Sequence, residues 1–309
     1  MAFGGPNSAE EVEPFLQDVL GHEVPAKRLH RVKERYRLIG GHSPILEITV
    51  RQARGLERNL NAQDPRFKVY VGMRHWHPFI AETFEEIQRD GIDRVVALSL
   101  SPYQSKMSTE AYVLALQRAM VPSKGEMEVS VVKGWHTHPL FLQALAEKLK
   151  EGLLQFPAEV RHRVHIIFSA HSLPKRAITG DPYVEQIEAT IRGIIGITGP
   201  LRWRLGFQSR GDKGGAWLDP EVTTVLRDLM EEGHQEVLMV PMGFVSDNVE
   251  ILFDIDILYK QQAESMGMSF RRSPSLNDSD TFIGALSHIV HEHLANAPWS
   301  THNVIEVKH

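Results

Sequence analysis

The sequence comprises 309 residues with a formal net charge of −5; 42% of its residues are hydrophobic and 24% are charged. This composition is typical of a globular protein of about two domains, and the negative charge with no long basic block argues against a nucleic-acid partner. The sequence contains no cysteine, which excludes disulfides, thiolate zinc sites, cysteine nucleophiles and a cysteine-ligated iron–sulfur cluster.

Short apolar runs rich in Val and Ile alternate with amphipathic stretches of helical period. The runs predict strands at residues 66–73, 94–101, 128–134, 163–170, 202–208 and 236–245. The other stretches predict helices at 44–61, 78–90, 107–120, 139–153, 181–195, 219–233, 247–263 and 279–296. This alternation predicts an α/β protein with a parallel sheet covered by helices, whose ligands bind at the carboxyl ends of the strands. A break in the pattern near 150–160 predicts two domains, 1–150 and 151–309.

Two features of the first domain stand out. The chain begins MAFGGP, so a first strand is absent or very short, which suggests a late start or a truncation. Residues 73–80 (MRHWHPFI) and 134–141 (GWHTHPLF) echo each other: each carries two histidines two apart, follows a predicted strand and opens a helix with Pro. Coincidence explains the echo equally well.

The stretch FSAHSLPKR, residues 168–176, places a histidine at the end of a buried strand. His171 sits between small residues, and Pro174 prevents the strand from continuing. A structural histidine bonded within a turn is one interpretation. The strand-end position favours the other, a histidine that contacts a ligand.

The stretch GFVSDNVEILFDIDILY, residues 243–259, follows the last predicted strand. Asp247, Glu250 and Asp254 have i, i+3, i+7 spacing, which places them on one face of a helix. Acidic residues near a helix N-terminus are favoured by the helix dipole alone. The helix dipole explains Asp254 least well, because Asp254 lies furthest from the helix N-terminus. This row of three acidic residues is therefore also a candidate path for a cation.

No Rossmann glycine signature, phosphate loop or nucleophile elbow accompanies these residues. A neutral imidazole beside a carboxylate, without thiolates, suits Fe²⁺ and also suits proton transfer near neutrality. Aromatic residues at other predicted strand ends indicate a flat apolar pocket: Phe3, Trp76, Tyr103 and Trp135.

Together these segments resemble the ferrochelatases, which insert Fe²⁺ into a porphyrin. The pair FSAHSLP (168–174) and GFVSDNVEILFDID (243–256) carries the resemblance. Further segments agree over nearly the whole chain: FGGP (3–6), RYRLIGGHSPI (35–45), YVGMRHWHPFI (70–80), SPYQSKMST (101–109), GDPY (180–183) and WRLGFQSR (203–210). The resemblance implies two Rossmann-like domains, each a parallel sheet flanked by helices, with the porphyrin cleft between them.

The resemblance also implies site residues. His171 and Glu250 match the family's catalytic and metal-site pair, and Asp254 matches the next acid of its metal site. The positions implied to bind porphyrin are Phe3, Arg35, Tyr36, Ser43, His75 and Tyr112. Three departures stand out: Asn248 replaces a usual histidine, Leu258 replaces an acid that extends the row, and Phe3 stands where some relatives have tyrosine.

The start of the chain, SPYQSKMST and Tyr112 look most like the short members that use coproporphyrin III, so we expect it to be preferred over protoporphyrin IX. An arginine that these members often carry is not evident near residues 20–22. Fe²⁺ is expected as a substrate, with no tightly bound cofactor. We expect a monomer in the cytoplasm, because the sequence has no signal peptide and no run near the ~18 apolar residues of a membrane span. The alternatives are a cobalt or sirohydrochlorin-type chelatase and a non-catalytic porphyrin carrier.

Overall fold

The computed structural model describes residues 1–63, 65–121, 127–211 and 214–296. Its strands form two parallel sheets, with the order β1-β2 in the first and β4-β3-β5-β6 in the second. The strands are β1 (Arg94–Leu98), β2 (Glu128–Val132), β3 (His165–His171), β4 (Trp203–Gln208), β5 (Glu236–Pro241) and β6 (Ser269–Arg272). The all-parallel pairing confirms the predicted α/β class.

Helices connect and cover these strands. They are α1 (Val12–Leu20), α2 (Ala26–Leu38), α3 (Ile45–Leu60), α4 (Ile80–Arg89), α5 (Thr109–Met120), α6 (Pro139–Leu153), α7 (Tyr183–Thr198), α8 (Val222–Glu231), a π-helix (Glu250–Tyr259), α9 (Lys260–Ser265) and α10 (Asp280–Asn296). Two hydrophobic clusters cover opposite faces of the second sheet. One contains Phe168 of β3, and the other contains the adjacent Ile167.

Strand β3 is the centre of the second sheet because both of its faces are buried. Every residue from His165 to Ala170 is buried, and only His171 at its end is partly accessible. The chain passes from β3 to β4 on one side and then crosses to β5 on the other. The carboxyl ends of β3 and β5 therefore flank a point where the strand order reverses, which is where open parallel sheets bind ligands.

The strand predicted at 66–73 is wrong. Residues 65–72 belong to no strand, and Met73 makes only isolated bridges. The backbone partner of this segment is the chain start: the Ala2 amide donates to the Gly72 carbonyl at 3.0 Å. On its other side, the Met1 amino group donates to the carbonyl of Leu98 at the end of β1, at 2.7 Å. Residues 66–72 and β1 both line a cavity of about 750 Å³.

Other differences lie at helix starts and in short elements. The sequence patterns did not predict α1, α2 or β6, and β6 is only four residues long. The echo holds for one copy only: Pro139 is the first residue of α6, whereas Pro78 lies two residues before α4. The domain boundary stays a prediction. Helix α6 spans residue 150, and residues 297–309 lie outside the described residues.

Candidate active site

A cleft of about 400 Å³ lies between the carboxyl ends of β3, β4 and β5 and the N-terminal helices α1 and α2. Its walls contain eight of the nine site residues expected from the sequence. These eight are Phe3, Arg35, Tyr36, Ser43, Tyr112, His171, Glu250 and Asp254. The ninth, His75, is not among the lining residues and lies behind Phe3, with the two ring centroids 4.7 Å apart.

His171 is the last residue of β3 and faces the cleft. Its Nδ1 atom is buried and has no hydrogen-bond partner among the residues that the structure describes. Burial lowers the pKa of the imidazole to about 4, so the ring is neutral near pH 7. Its backbone is held from two sides: the Tyr183 hydroxyl donates to the His171 carbonyl at 3.2 Å, and the next amide, of Ser172, donates to the Gln208 carbonyl at 2.8 Å. A fixed neutral nitrogen with a free lone pair suits a metal ion or a proton.

Gly243, just after β5, lets the chain pass directly against β3 at His171. A Cβ atom at this position would lie 3.0 Å from the His171 amide nitrogen and 3.1 Å from the Ala170 Cα. We expect Gly243→Ala to lower the free energy of unfolding by about 1–3 kcal/mol, the usual range for overpacking, and to lower turnover by moving His171. Thermal denaturation and steady-state assays measure both effects.

Gly196→Ala in α7 is the matched control, because a Cβ there meets no atom within 4 Å. Alanine is the better helix former, so this variant is expected to be at least as stable as the wild type. If Gly243→Ala behaved like Gly196→Ala in both measurements, the close approach would have no role in positioning His171.

Glu250 begins the π-helix, and Asn248 caps it. The Asn248 side-chain oxygen accepts hydrogen bonds from the amides of Glu250 (2.9 Å) and Ile251 (3.1 Å). Asn248 is therefore a capping residue here, a role to which the short amide side chain is well suited. Burial, with a smaller contribution from the charge of Asp254, raises the pKa of Glu250 to about 7.

Asp254 lies further along the π-helix and is held by two groups. The Ser209 hydroxyl donates to its Oδ2 at 2.5 Å, and Arg35 Nη1 lies 3.4 Å from its Oδ1. Oδ1 is buried without a hydrogen-bond partner, so the contact with Arg35 is an ion pair. Burial raises the pKa of Asp254, against the opposing effects of Ser209 and Arg35.

The predicted row of three acids is wrong at its first member. Asp247 precedes the helix and accepts hydrogen bonds from Ser275 at 2.6 Å and Asn277 at 2.9 Å. It also lies 3.4 Å from Arg272 and does not line the cleft, although its neighbours Ser246 and Asn248 do. The spacing argument assumed an α-helix that began at Asp247. The helix begins three residues later and is a π-helix, a form frequent at functional sites.

The apolar wall of the cleft comes from the chain start and two buried tyrosines. Phe3 is 40% exposed, and its ring rests on His75, whose Nδ1 is 2.7 Å from an Asp18 oxygen. His75 therefore supports a cleft residue. Tyr36 and Tyr112 are buried, and burial raises the pKa of both hydroxyls, so they line the cleft as neutral phenols.

Several other polar residues line the cleft that were not expected as contacts, among them Tyr183, Ser209, Arg28 and Arg31. Ser209 directly follows β4, so its strand-end position was the available signal. Ser209 has a φ of +60°, a left-handed conformation rare for serine, while its hydroxyl reaches Asp254. Arg28 and Arg31 also line the cleft. With Arg35 they have i, i+3, i+7 spacing on α2, a signal readable in the sequence.

The comparisons with known proteins agree over the length of the chain. The family profile described as Ferrochelatase matches residues 1–294. A ferrochelatase of Geotalea uraniireducens is 40% identical over 311 residues, covering 94% of this chain and 96% of that protein. A protein of Oceanobacillus iheyensis named coproporphyrin III ferrochelatase is 35% identical over 295 residues, covering 94% of each chain.

A solved structure shares the fold. SirB from Bacillus subtilis, with Fe³⁺, aligns with a TM-score of 0.59 at 12% identity, covering 80% of this chain and 90% of that one. At this identity the likeness concerns the fold alone, which is chelatase-like. Among the described residues, no helix combines the length and apolarity that a membrane span requires.

Proposed function

Because the chain belongs to the ferrochelatase family, we propose that it is a lyase of heme biosynthesis that inserts Fe²⁺ into coproporphyrin III in the cleft described above. The observation that carries the proposal is that the His171 imidazole, which burial keeps neutral, lines the same cleft as Glu250 and Asp254. Fe²⁺ is the substrate, and the chain's own donors suit it: imidazole nitrogen and carboxylate oxygen, with no thiolate.

The reaction exchanges one Fe²⁺ for the two protons on the pyrrole nitrogens, so the cleft must accept protons as well as a metal ion. Glu250, with a pKa of about 7, holds a proton better near neutrality than His171, with a pKa of about 4. A base is most effective when its pKa is near the operating pH. We therefore assign proton acceptance mainly to Glu250, and to His171 the neutral nitrogen that contacts the metal or relays a proton.

Turnover distinguishes this function from that of a porphyrin carrier. Mixing the protein with Fe²⁺ and coproporphyrin III without oxygen is expected to give metalloporphyrin far beyond one equivalent, followed by absorbance. Product that stops at one equivalent would contradict an enzymatic role. Efficient turnover only with Co²⁺ and sirohydrochlorin would contradict the assigned substrates.

The preference for coproporphyrin III is supported by the charge of one cleft wall. Coproporphyrin carries four propionates and protoporphyrin carries two. Arg28, Arg31 and Arg35 project from one face of α2 toward the cleft. Arg35 is paired with Asp254, and Arg28, which lines the cleft from the same face of α2, is the candidate for an additional carboxylate. The name of the Oceanobacillus relative agrees with this preference.

Arg28→Ala is expected to lower kcat/KM for coproporphyrin III about two- to fivefold more than for protoporphyrin IX. This corresponds to losing one partly exposed ion pair of up to ~1 kcal/mol. Lys27→Ala is the control, since Lys27 is the adjacent cation on α2 but does not line the cleft. The wild type is expected to favour coproporphyrin III. A wild-type ratio that favours protoporphyrin IX would overturn the substrate and leave metal insertion intact.

The monomeric state, the cytoplasmic location and the lack of a tightly bound cofactor stay predictions. The proposal requires none of them, because porphyrin and Fe²⁺ are both supplied as substrates.

A further inference from the structure

Two histidines and one glutamate meet outside the cleft, where α6 packs against α10. His138 Nε2 lies 3.0 Å from His288 Nδ1. Glu292 oxygens lie 3.5 Å from the same His138 nitrogen and 3.4 Å from the same His288 nitrogen. None of these three residues lines the active-site cleft. We propose that His138, His288 and Glu292 form a second metal site, which binds a divalent transition metal such as Zn²⁺.

The distances match the requirements of a tetrahedral ion. Zinc binds imidazole nitrogen and carboxylate oxygen at about 2.0–2.2 Å, which places ligand atoms on a tetrahedron about 3.3 Å apart. His138 Nε2 and His288 Nδ1 lie 3.0 Å apart, and one Glu292 oxygen lies 3.5 Å from the first nitrogen while the other oxygen lies 3.4 Å from the second. One ligand atom from each residue lies within 4.8 Å of the other two, so a rotation of the Glu292 carboxylate brings one of its oxygens into the coordination sphere of an ion held by both rings. Two histidines, one carboxylate and one position for water form a common zinc ligand set.

The local structure explains why these side chains converge. His138 is the N-cap residue of α6, and Pro139 follows it as the first helical residue, which fixes the direction in which the chain enters the helix. His288 and Glu292 are four residues apart on α10, so they share one face. The His138 side chain is 7% exposed, whereas those of His288 and Glu292 are about half exposed. The site has one fixed ligand at its base and two at its rim.

Without an ion, the polar groups of this cluster are poorly matched. The two imidazole nitrogens that face each other share one hydrogen bond, so one of them donates a proton and the other accepts it. The Glu292 carboxylate stays beyond ordinary hydrogen-bonding distance from both rings, and within the described part of the chain the buried His138 Nδ1 has no partner. A divalent cation would replace the imidazole contact with two bonds and would neutralise the carboxylate. It would also join the start of α6 to α10.

Co²⁺ is the probe for this site, because tetrahedral Co²⁺ has a strong visible d–d absorption. We expect the full-length protein to show this absorption on titration, and His138→Ala and Glu292→Gln each to weaken Co²⁺ affinity at least tenfold, since even the loss of a residue behind a ligand costs 10–100-fold. Any signal from the cleft is common to all variants and cancels in the difference. Zn²⁺ is expected to displace Co²⁺ and to raise the melting temperature of the wild type more than that of His138→Ala.

His291→Ala is the matched control, because His291 is exposed on α10 but contacts Phe67 instead of the cluster. It is expected to bind Co²⁺ like the wild type. Equal Co²⁺ affinity in His138→Ala and the wild type would overturn the site, since the helical pair alone would then suffice. The site would also be overturned if the Co²⁺ spectrum of the wild type did not differ from that of Glu292→Gln. The Glu292 side chain is about half exposed, so this variant is expected to fold normally. These readouts use no porphyrin, so they are independent of the proposed activity.

Discussion

His171→Ala is expected to lower kcat for metal insertion by at least about 100-fold, the usual minimum for losing a positioned proton-transfer group. The variant removes the imidazole ring that lines the cleft at the end of β3. It leaves intact the backbone contacts of the β3 end, which Tyr183 and Gln208 provide. The measurement is metalloporphyrin formation under anaerobic conditions, with circular dichroism to check folding.

His165→Ala is the control for burial. His165 begins the same strand β3 and is also buried. Burial lowers its pKa to about 4, as it does for His171. His165 lies at the opposite end of the strand from the cleft, so its replacement is expected to lower stability and keep turnover. Similar losses of kcat in both variants would mean that His171 acts only through packing.

Five of the six strands in the described residues could be predicted from the sequence, whereas the strand predicted at 66–73 is wrong. Strands β1 to β5 lie within a few residues of the predicted runs, and β3, which is buried on both faces, matches the pattern best. The segment 66–73 was predicted from the same kind of pattern, but among the described residues only Met73 of this segment forms β-bridges. A sequence pattern indicates that a segment can adopt an extended conformation, but it does not indicate whether another strand lies beside it to form backbone hydrogen bonds.

The residues of the candidate site were likewise predicted only in part. Strand-end position brought His171 to the cleft, and helical spacing brought Arg28, Arg31 and Arg35 to one face. Helical spacing failed for Asp247, because the helix begins at Glu250 and has a π-turn. Asn248 illustrates the reason. Its capping bonds fix where the helix starts, and that start depends on contacts with residues 275–277, distant in the sequence.

Glu250→Gln separates the two interpretations of the acidic helix start. If the helix dipole alone explains Glu250, the variant loses about 0.3–1 kcal/mol of stability and keeps its activity. The structure instead predicts that Glu250→Gln raises the stability of the protein near neutral pH and lowers its activity. Burial raises the pKa of Glu250 from 4.5 to about 7, which corresponds to up to about 3 kcal/mol of destabilisation when the group is ionised. Burial therefore outweighs the dipole.

The raised pKa of Glu250 determines how the stability of the protein changes with pH. With a raised pKa, the folded protein binds this proton more tightly than the unfolded chain does. The associated stability is present below pH 4.5 and is lost as the pH rises through about 7. Glutamine is neutral throughout, so Glu250→Gln is expected to unfold at higher denaturant concentration than the wild type at pH 8, and to differ little at pH 4. Equal stability at pH 8 would show that the carboxylate is well solvated.

The same substitution is expected to lower kcat by at least about 100-fold, because glutamine cannot accept the pyrrole proton. In the wild type, kcat/KM is expected to rise with pH through about 7 as Glu250 ionises. Asp254→Asn tests this assignment: it removes a negative charge that raises the pKa of Glu250 and releases Arg35 from its ion pair. The limb of the pH profile should move to lower pH, with a smaller loss of kcat than in Glu250→Gln. A limb that stays at the same pH would assign the titration to another group.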